Sequence, residues 1–121
     1  MYELRIESYF ASAHQLREYN GKCENLHGHN WKVCLAIRGE RLDSCGMLMD
    51  FVELKKILKM ELDKLDHRFL NDLPAFSIEN PTSEYIAKYL FEAVKLYMPT
   101  HIDVASVTVW ESESCSATYQ E

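Results

Sequence analysis

The chain has 121 residues, a length that fits one domain spanning 1–121, and 47% of them are apolar, enough for a core without staples. Its net charge of −6 argues against the basic surface that nucleic-acid binding needs. Four cysteines without a CxxC pair argue against a cysteine-built zinc site, and acidic residues interrupt the opening segment MYELRIESYF, which reads as neither leader peptide nor membrane span and predicts a cytoplasmic chain with reduced thiols.

Leu4, Ile6 and Phe10 alternate with Glu3, Arg5 and Glu7, which predicts a half-buried strand over residues 3 to 10. Residues 30 to 38 alternate again, with Trp31, Val33, Leu35 and Ile37 on one side. Asp50 is a helix N-cap with Glu53 three residues on, a variant of the capping box. Phe51, Leu54, Leu58, Leu62 and Leu65 follow as an apolar stripe, and the helix is expected to end near Asp66. A polar stretch from Asn71 to Pro81 leads to a second helix, started by Asn80-Pro81-Thr82-Ser83 and stopped by Pro99. Its stripe reads Ile86, Tyr89, Leu90, Ala93, Val94 and Tyr97. Residues 102 to 111 predict a third strand and Cys115 to Tyr119 a shorter fourth. The order strand, strand, helix, helix, strand, strand predicts an α+β fold, a mainly antiparallel sheet with helices on one face. The other face needs cover, for which a second subunit is the expected source.

Five histidines carry the chemical interest. In an extended segment His27 and His29, flanking Gly28, point to the same side. His14 ends the first strand, where an antiparallel neighbour brings it beside that pair. Three imidazoles with open positions describe a catalytic zinc site, although iron, copper and nickel accept the same ligands. Taken alone, an HxH pair is more often two surface histidines than a metal site. His101 reads as surface. Cys23, four residues before His27, is either a thiol activated by its surroundings or a packed cysteine; Cys34 and Cys115 read as packed, and Cys45 as a turn residue. Asp66-His67 closes the first helix, where a histidine complements the helix dipole or a carboxylate orients an imidazole. Glu111 ends an apolar strand and is either solvated or a two-point acceptor for a heterocycle.

Six stretches in order, FASAH, CENLHGH, GMLMDFVELK, LDHRFLND, ENPTSE and WES, resemble the 6-pyruvoyl-tetrahydropterin synthase family and span nearly the whole chain. The resemblance implies the tunnelling fold, in which trimers form a barrel and two trimers stack. It implies Zn2+ held by His14, His27 and His29, with Cys23 as catalytic base. Asp66 and His67 would complete a proton relay, and Glu111 would anchor the pterin ring and join the relay. Thr82, Ser83 and Glu84 match the family's other pterin-contacting stretch, often supplied by a neighbouring subunit. The implied substrate is 7,8-dihydroneopterin triphosphate, with Arg17, Lys22 and Arg68 as candidate cations for its phosphates. ENPTSE, the short chain and the compact CENLHGH are similar to the carboxy-forming branch, which supplies deazapurine and queuosine synthesis. A pyruvoyl-forming branch shares the zinc, cysteine and relay, and a hydroxymethyl-forming branch uses a glutamate near the cysteine, where this chain has Glu24. A non-catalytic pterin- or metal-binding module is the reading from a different class.

Overall fold

The computed structural model describes residues 1–18 and 25–121. Cys23, Lys22 and Glu24 lie outside them. Four strands form one antiparallel sheet in the order β1 (Tyr2–His14), β2 (His27–Gly39), β3 (Asp103–Ser112) and β4 (Cys115–Tyr119). Two helices, α1 (Phe51–Leu62) and α2 (Ser83–Lys95), lie between β2 and β3 in sequence.

The period-2 pattern fixes which face is covered. Ile6 and Phe10 of β1, and Trp31, Val33, Leu35 and Ile37 of β2, are buried with Val104, Val107 and Val109 of β3. Leu54, Ile57 and Leu58 of α1 and Ile86, Ala87, Leu90, Phe91 and Val94 of α2 close that core. The opposite face carries Glu3, Arg5, Glu7, Tyr9, Lys32 and Trp110, with ion pairs Arg5–Glu3 at 2.7 Å and Lys32–Glu7 at 3.1 Å. Lys32 Nζ also sits 4.7 Å above the Trp110 ring. This face is mostly charged, with the aromatic rings of Tyr9 and Trp110 among the charges.

Both strands of the first pair run longer than the alternation suggests, and their added ends carry the histidines. Both predicted caps form: Asp50 accepts from Val52 N–H at 2.8 Å, and Thr82 Oγ1 from Tyr85 N–H at 3.2 Å. Helix α1 stops at Leu62, four residues earlier than expected. Tight turns follow, with Leu65 N–H donating to Leu62 O at 2.9 Å, and they reverse the chain toward β1. Phe51 remains exposed and Ile57 takes its place in the buried stripe. In α2, Ala87 and Phe91 are buried where Tyr97 was expected; Tyr97 lies past the helix end, and Phe91 packs on Tyr119 of β4 with ring centres 5.0 Å apart. Cys115 is exposed on β4, not packed. Among the described residues, no helix is long and apolar enough to cross a membrane.

Candidate metal centre

The β1–β2 ladder pairs His14 with His27 and Ser12 with His29 at one end of the sheet. His27, His29 and Trp31 share the covered face because β2 is extended through all of them. The three imidazole rings stand 4.6 to 5.1 Å apart, centre to centre. Trp31 forms the floor, edge-on to His14 at 4.9 Å and to His29 at 5.2 Å. Its indole N–H donates to Ser12 O at 3.2 Å, which fixes the ring.

Two of the imidazoles have their tautomer set from behind. His14 Nδ1 lies 2.9 Å from Pro81 O and His27 Nδ1 2.8 Å from Asn25 O. A carbonyl only accepts, so each Nδ1 carries a proton, and the neutral form of each ring presents an Nε2 lone pair inward. Those two Nε2 atoms are 3.1 Å apart. Two lone pairs that close repel, and a cation or a proton between them removes the repulsion. A carbonyl behind a ligating histidine is the usual outer support of a metal site.

Glu111, at the end of β3, joins the group. Its Oε1 is 3.0 Å from His29 Nε2, 3.4 Å from His14 Nε2 and 3.8 Å from His27 Nε2. His14, His27, His29 and Glu111 thus offer four ligand atoms all within 4.8 Å of one another, a set able to hold a metal ion. The expected three-histidine cluster is present, and Glu111, expected as a pterin anchor and relay member, stands within it as a fourth possible ligand. Its place at the end of an alternating strand, on the parity of Val107 and Val109, was the available signal.

His14 is also held through the chain that follows it. Asn71 grips the Gln15 backbone, accepting from its N–H at 2.9 Å and donating to its carbonyl at 2.7 Å. Asn80 grips Arg17 in the same way, at 2.8 Å for both bonds. The Arg17 guanidinium in turn donates to the carbonyls of Phe76 and, at 2.9 Å, Glu79. Arg17 Nη2 is therefore tied to the backbone that leads to Pro81, the residue that orients His14. Arg68 is exposed.

Asp66 and His67 sit along the other edge of β1. Asp66 Oδ1 accepts from Ala11 N–H at 2.8 Å and His67 N–H donates to Ala11 O at 2.6 Å. The Ser12 hydroxyl donates to Leu65 O. His67 adopts φ 55°, and its Nδ1 lies 2.9 Å from Asp66 Oδ2, so these neighbours pair directly. The Ala11 N–H and then the His67 ring hold the Asp66 carboxyl below the ordinary carboxylate value. The His67 side chain is 82% exposed. A shallow cavity of about 300 Å³, lined by Ala11, Ser12, Gly28, His29 and Asn30, lies where β1 and β2 pair beside the histidines. Thr82 caps α2 one residue after Pro81, Ser83 is buried and Glu84 exposed, so this stretch begins directly behind His14.

Fold and site define an α+β protein with a metal-competent cluster of three imidazoles and a carboxylate at one end of its sheet. The family profile for 6-pyruvoyl tetrahydropterin synthase matches residues 3–121, and the chain belongs to that family of pterin-processing lyases. It is 37% identical to the 6-carboxy-5,6,7,8-tetrahydropterin synthase of Synechocystis, over 98% of this chain and 93% of that protein. It is 31% identical to the protein of the same name from Haemophilus influenzae, each covered in full. The solved structure of Caenorhabditis elegans 6-pyruvoyl tetrahydropterin synthase superposes with a TM-score of 0.85 and 33% identity, covering 99% of this chain and 95% of that one.

Proposed function

We propose that this chain is a zinc-dependent lyase that converts 7,8-dihydroneopterin triphosphate to 6-carboxy-5,6,7,8-tetrahydropterin, releasing acetaldehyde and triphosphate. The observation that carries this reading is the convergence of His14 and His27, each with Nδ1 bound to a carbonyl and Nε2 turned toward the other, on His29 and Glu111. Zn2+ held there would supply Lewis acidity, lowering the pKa of the substrate's two neighbouring side-chain hydroxyls and the adjacent C–H bonds. His14, His27 and His29 hold it, and Trp31 keeps their base dry. Cys23, four residues before His27 in sequence, takes a side-chain proton as thiolate. Asp66 keeps the His67 ring oriented through its 2.9 Å contact, and His67 moves a proton at a second position. The exposure of His67 suits presentation to a site shared with another subunit. Glu111 serves the relay and the pterin, and Thr82, Ser83 and Glu84 contact the pterin ring.

The polar and aromatic open sheet face suits the lumen of a barrel, and we read the chain as a trimer or a dimer of trimers. We also read it as cytoplasmic, working on a small molecule with no nucleic acid or membrane as partner, and as supplying queuosine synthesis. The names of the Synechocystis and H. influenzae relatives favour the carboxylated product. The nematode structure favours the alternative, elimination of triphosphate to 6-pyruvoyl-tetrahydropterin. Zinc-loaded protein incubated with 7,8-dihydroneopterin triphosphate decides between them. The carboxypterin with equimolar acetaldehyde is expected; the pyruvoyl compound, or no conversion, overturns the proposal. His27→Ala and His29→Ala should lose both metal and turnover.

A further inference from the structure

The four-ligand cluster poses a problem for a catalytic site. A metal ringed by four protein ligands is closed, whereas a site that grips a substrate keeps a position open. The spacing of the carboxylate from the imidazoles suits closure at rest. His14 and His27 Nε2 are 3.1 Å apart, and Glu111 Oε1 stands 3.0, 3.4 and 3.8 Å from the three Nε2 atoms. A tetrahedron built on bonds of about 2.0–2.1 Å has edges of about 3.3 Å, which lies within that range, and all ligand atoms of the set lie within 4.8 Å of one another. The carboxylate therefore stands where a fourth ligand belongs.

The four side chains are not held alike. His14 is 1% exposed and tied to Pro81 O, and His27 is tied to Asn25 O. Glu111 lies one residue past the last rung of the β2–β3 ladder, at Lys32–Trp110, and inside the register shift between Trp110 and Ser112. Its side chain is 38% exposed. His14 and His27 are tied from behind, and the carboxylate hangs from an irregular point of β3, between the rungs Lys32–Trp110 and Ser112–Cys115.

Resting on the metal-dependent reading above, we infer that Glu111 is a displaceable fourth ligand. It closes the coordination sphere of the substrate-free protein and yields its place to the substrate's hydroxyls. The competing account is an ordinary ion pair between Glu111 and a protonated histidine. It predicts no loss of metal affinity when the carboxylate is removed.

The test uses metal-free full-length protein and its Glu111→Gln and Glu111→Ala variants, with folding checked by circular dichroism. Zn2+ affinity is measured by chelator competition, and bound water by water-proton relaxation of the Co2+-loaded forms. Both variants should bind Zn2+ about 10–100-fold more weakly, and Co2+ in Glu111→Ala should gain an inner-sphere water that the unaltered protein lacks. Equal affinity, or equal relaxation in all three proteins, overturns the inference. Neither readout involves turnover. Failure to convert the pterin with the Glu111 dependence intact sinks the proposed function alone, and the opposite pattern sinks the ligand role alone.

Discussion

Replacing Asn80 with Ala separates a stability effect from an effect on the metal. The side chain forms two hydrogen bonds to the Arg17 backbone, both 2.8 Å and part-buried. Each is worth about 1 kcal/mol net, and truncation leaves the Arg17 N–H and carbonyl to find water, so a loss of about 2 kcal/mol is expected. With a urea m-value of about 1–3 kcal/mol/M, the unfolding midpoint should fall by roughly 1 M. The second effect passes through the next residue. Pro81 O is the acceptor for His14 Nδ1 at 2.9 Å, and loosening the clamp lets that carbonyl drift. Loss of such an outer partner typically costs 10–100-fold in metal affinity, and about tenfold is expected here for Zn2+ in chelator competition. The two readouts are independent, because a loss of this size still leaves nearly all the protein folded in the absence of urea. Lower stability with unchanged Zn2+ affinity would refute the positioning argument, and an unchanged midpoint would refute the clamp itself.

The Asp66 carboxyl is held below its ordinary value by the Ala11 N–H and then by His67, so its ionised form stabilises the fold. That contribution is complete above the unfolded value of about 4 and is lost as pH falls through the lower folded value. Asp66→Asn should flatten the acid limb of the urea midpoint below about pH 4, and an unchanged limb would count against it. Leu58→Ala, at a position with no exposure in the middle of α1, should cost about 2–5 kcal/mol by calorimetry or urea, with Zn2+ affinity of the folded protein unaltered. A Cβ on Gly39 would lie 2.6 Å from Leu48 Cδ1 and 3.0 Å from His101 O, so Gly39→Ala should cost about 1–3 kcal/mol; no change in midpoint would show that the backbone there yields freely. Cys23→Ala should retain Zn2+ and lose turnover, and a fully active variant would remove the thiol from the chemistry.

Local regularities in the sequence determined a good part of this protein. Alternation named the covered faces of β1 and β2 because a pleated strand sends successive side chains to opposite sides, and Trp31, Val33, Leu35 and Ile37 are all fully buried. The same rule put His27 and His29 together, since it needs only two residues of extended chain. Asp50 and Thr82 were readable as caps because capping acts within three residues. Pairing β1 with β2 then set His14 opposite His27. Tertiary structure alone decided the rest. Glu111 meets His14 from nearly a hundred residues away, and no period relates them. Asp66 and His67 pair because the chain turns left-handed at His67 while Asp66 is tied to Ala11, a conformation that no pattern of polarity announces. Asn71, Asn80 and the Pro81 carbonyl look like ordinary loop chemistry in the sequence. Their role arises because the end of β1 has unpaired backbone groups to satisfy, and only the folded chain shows which distant amides reach them.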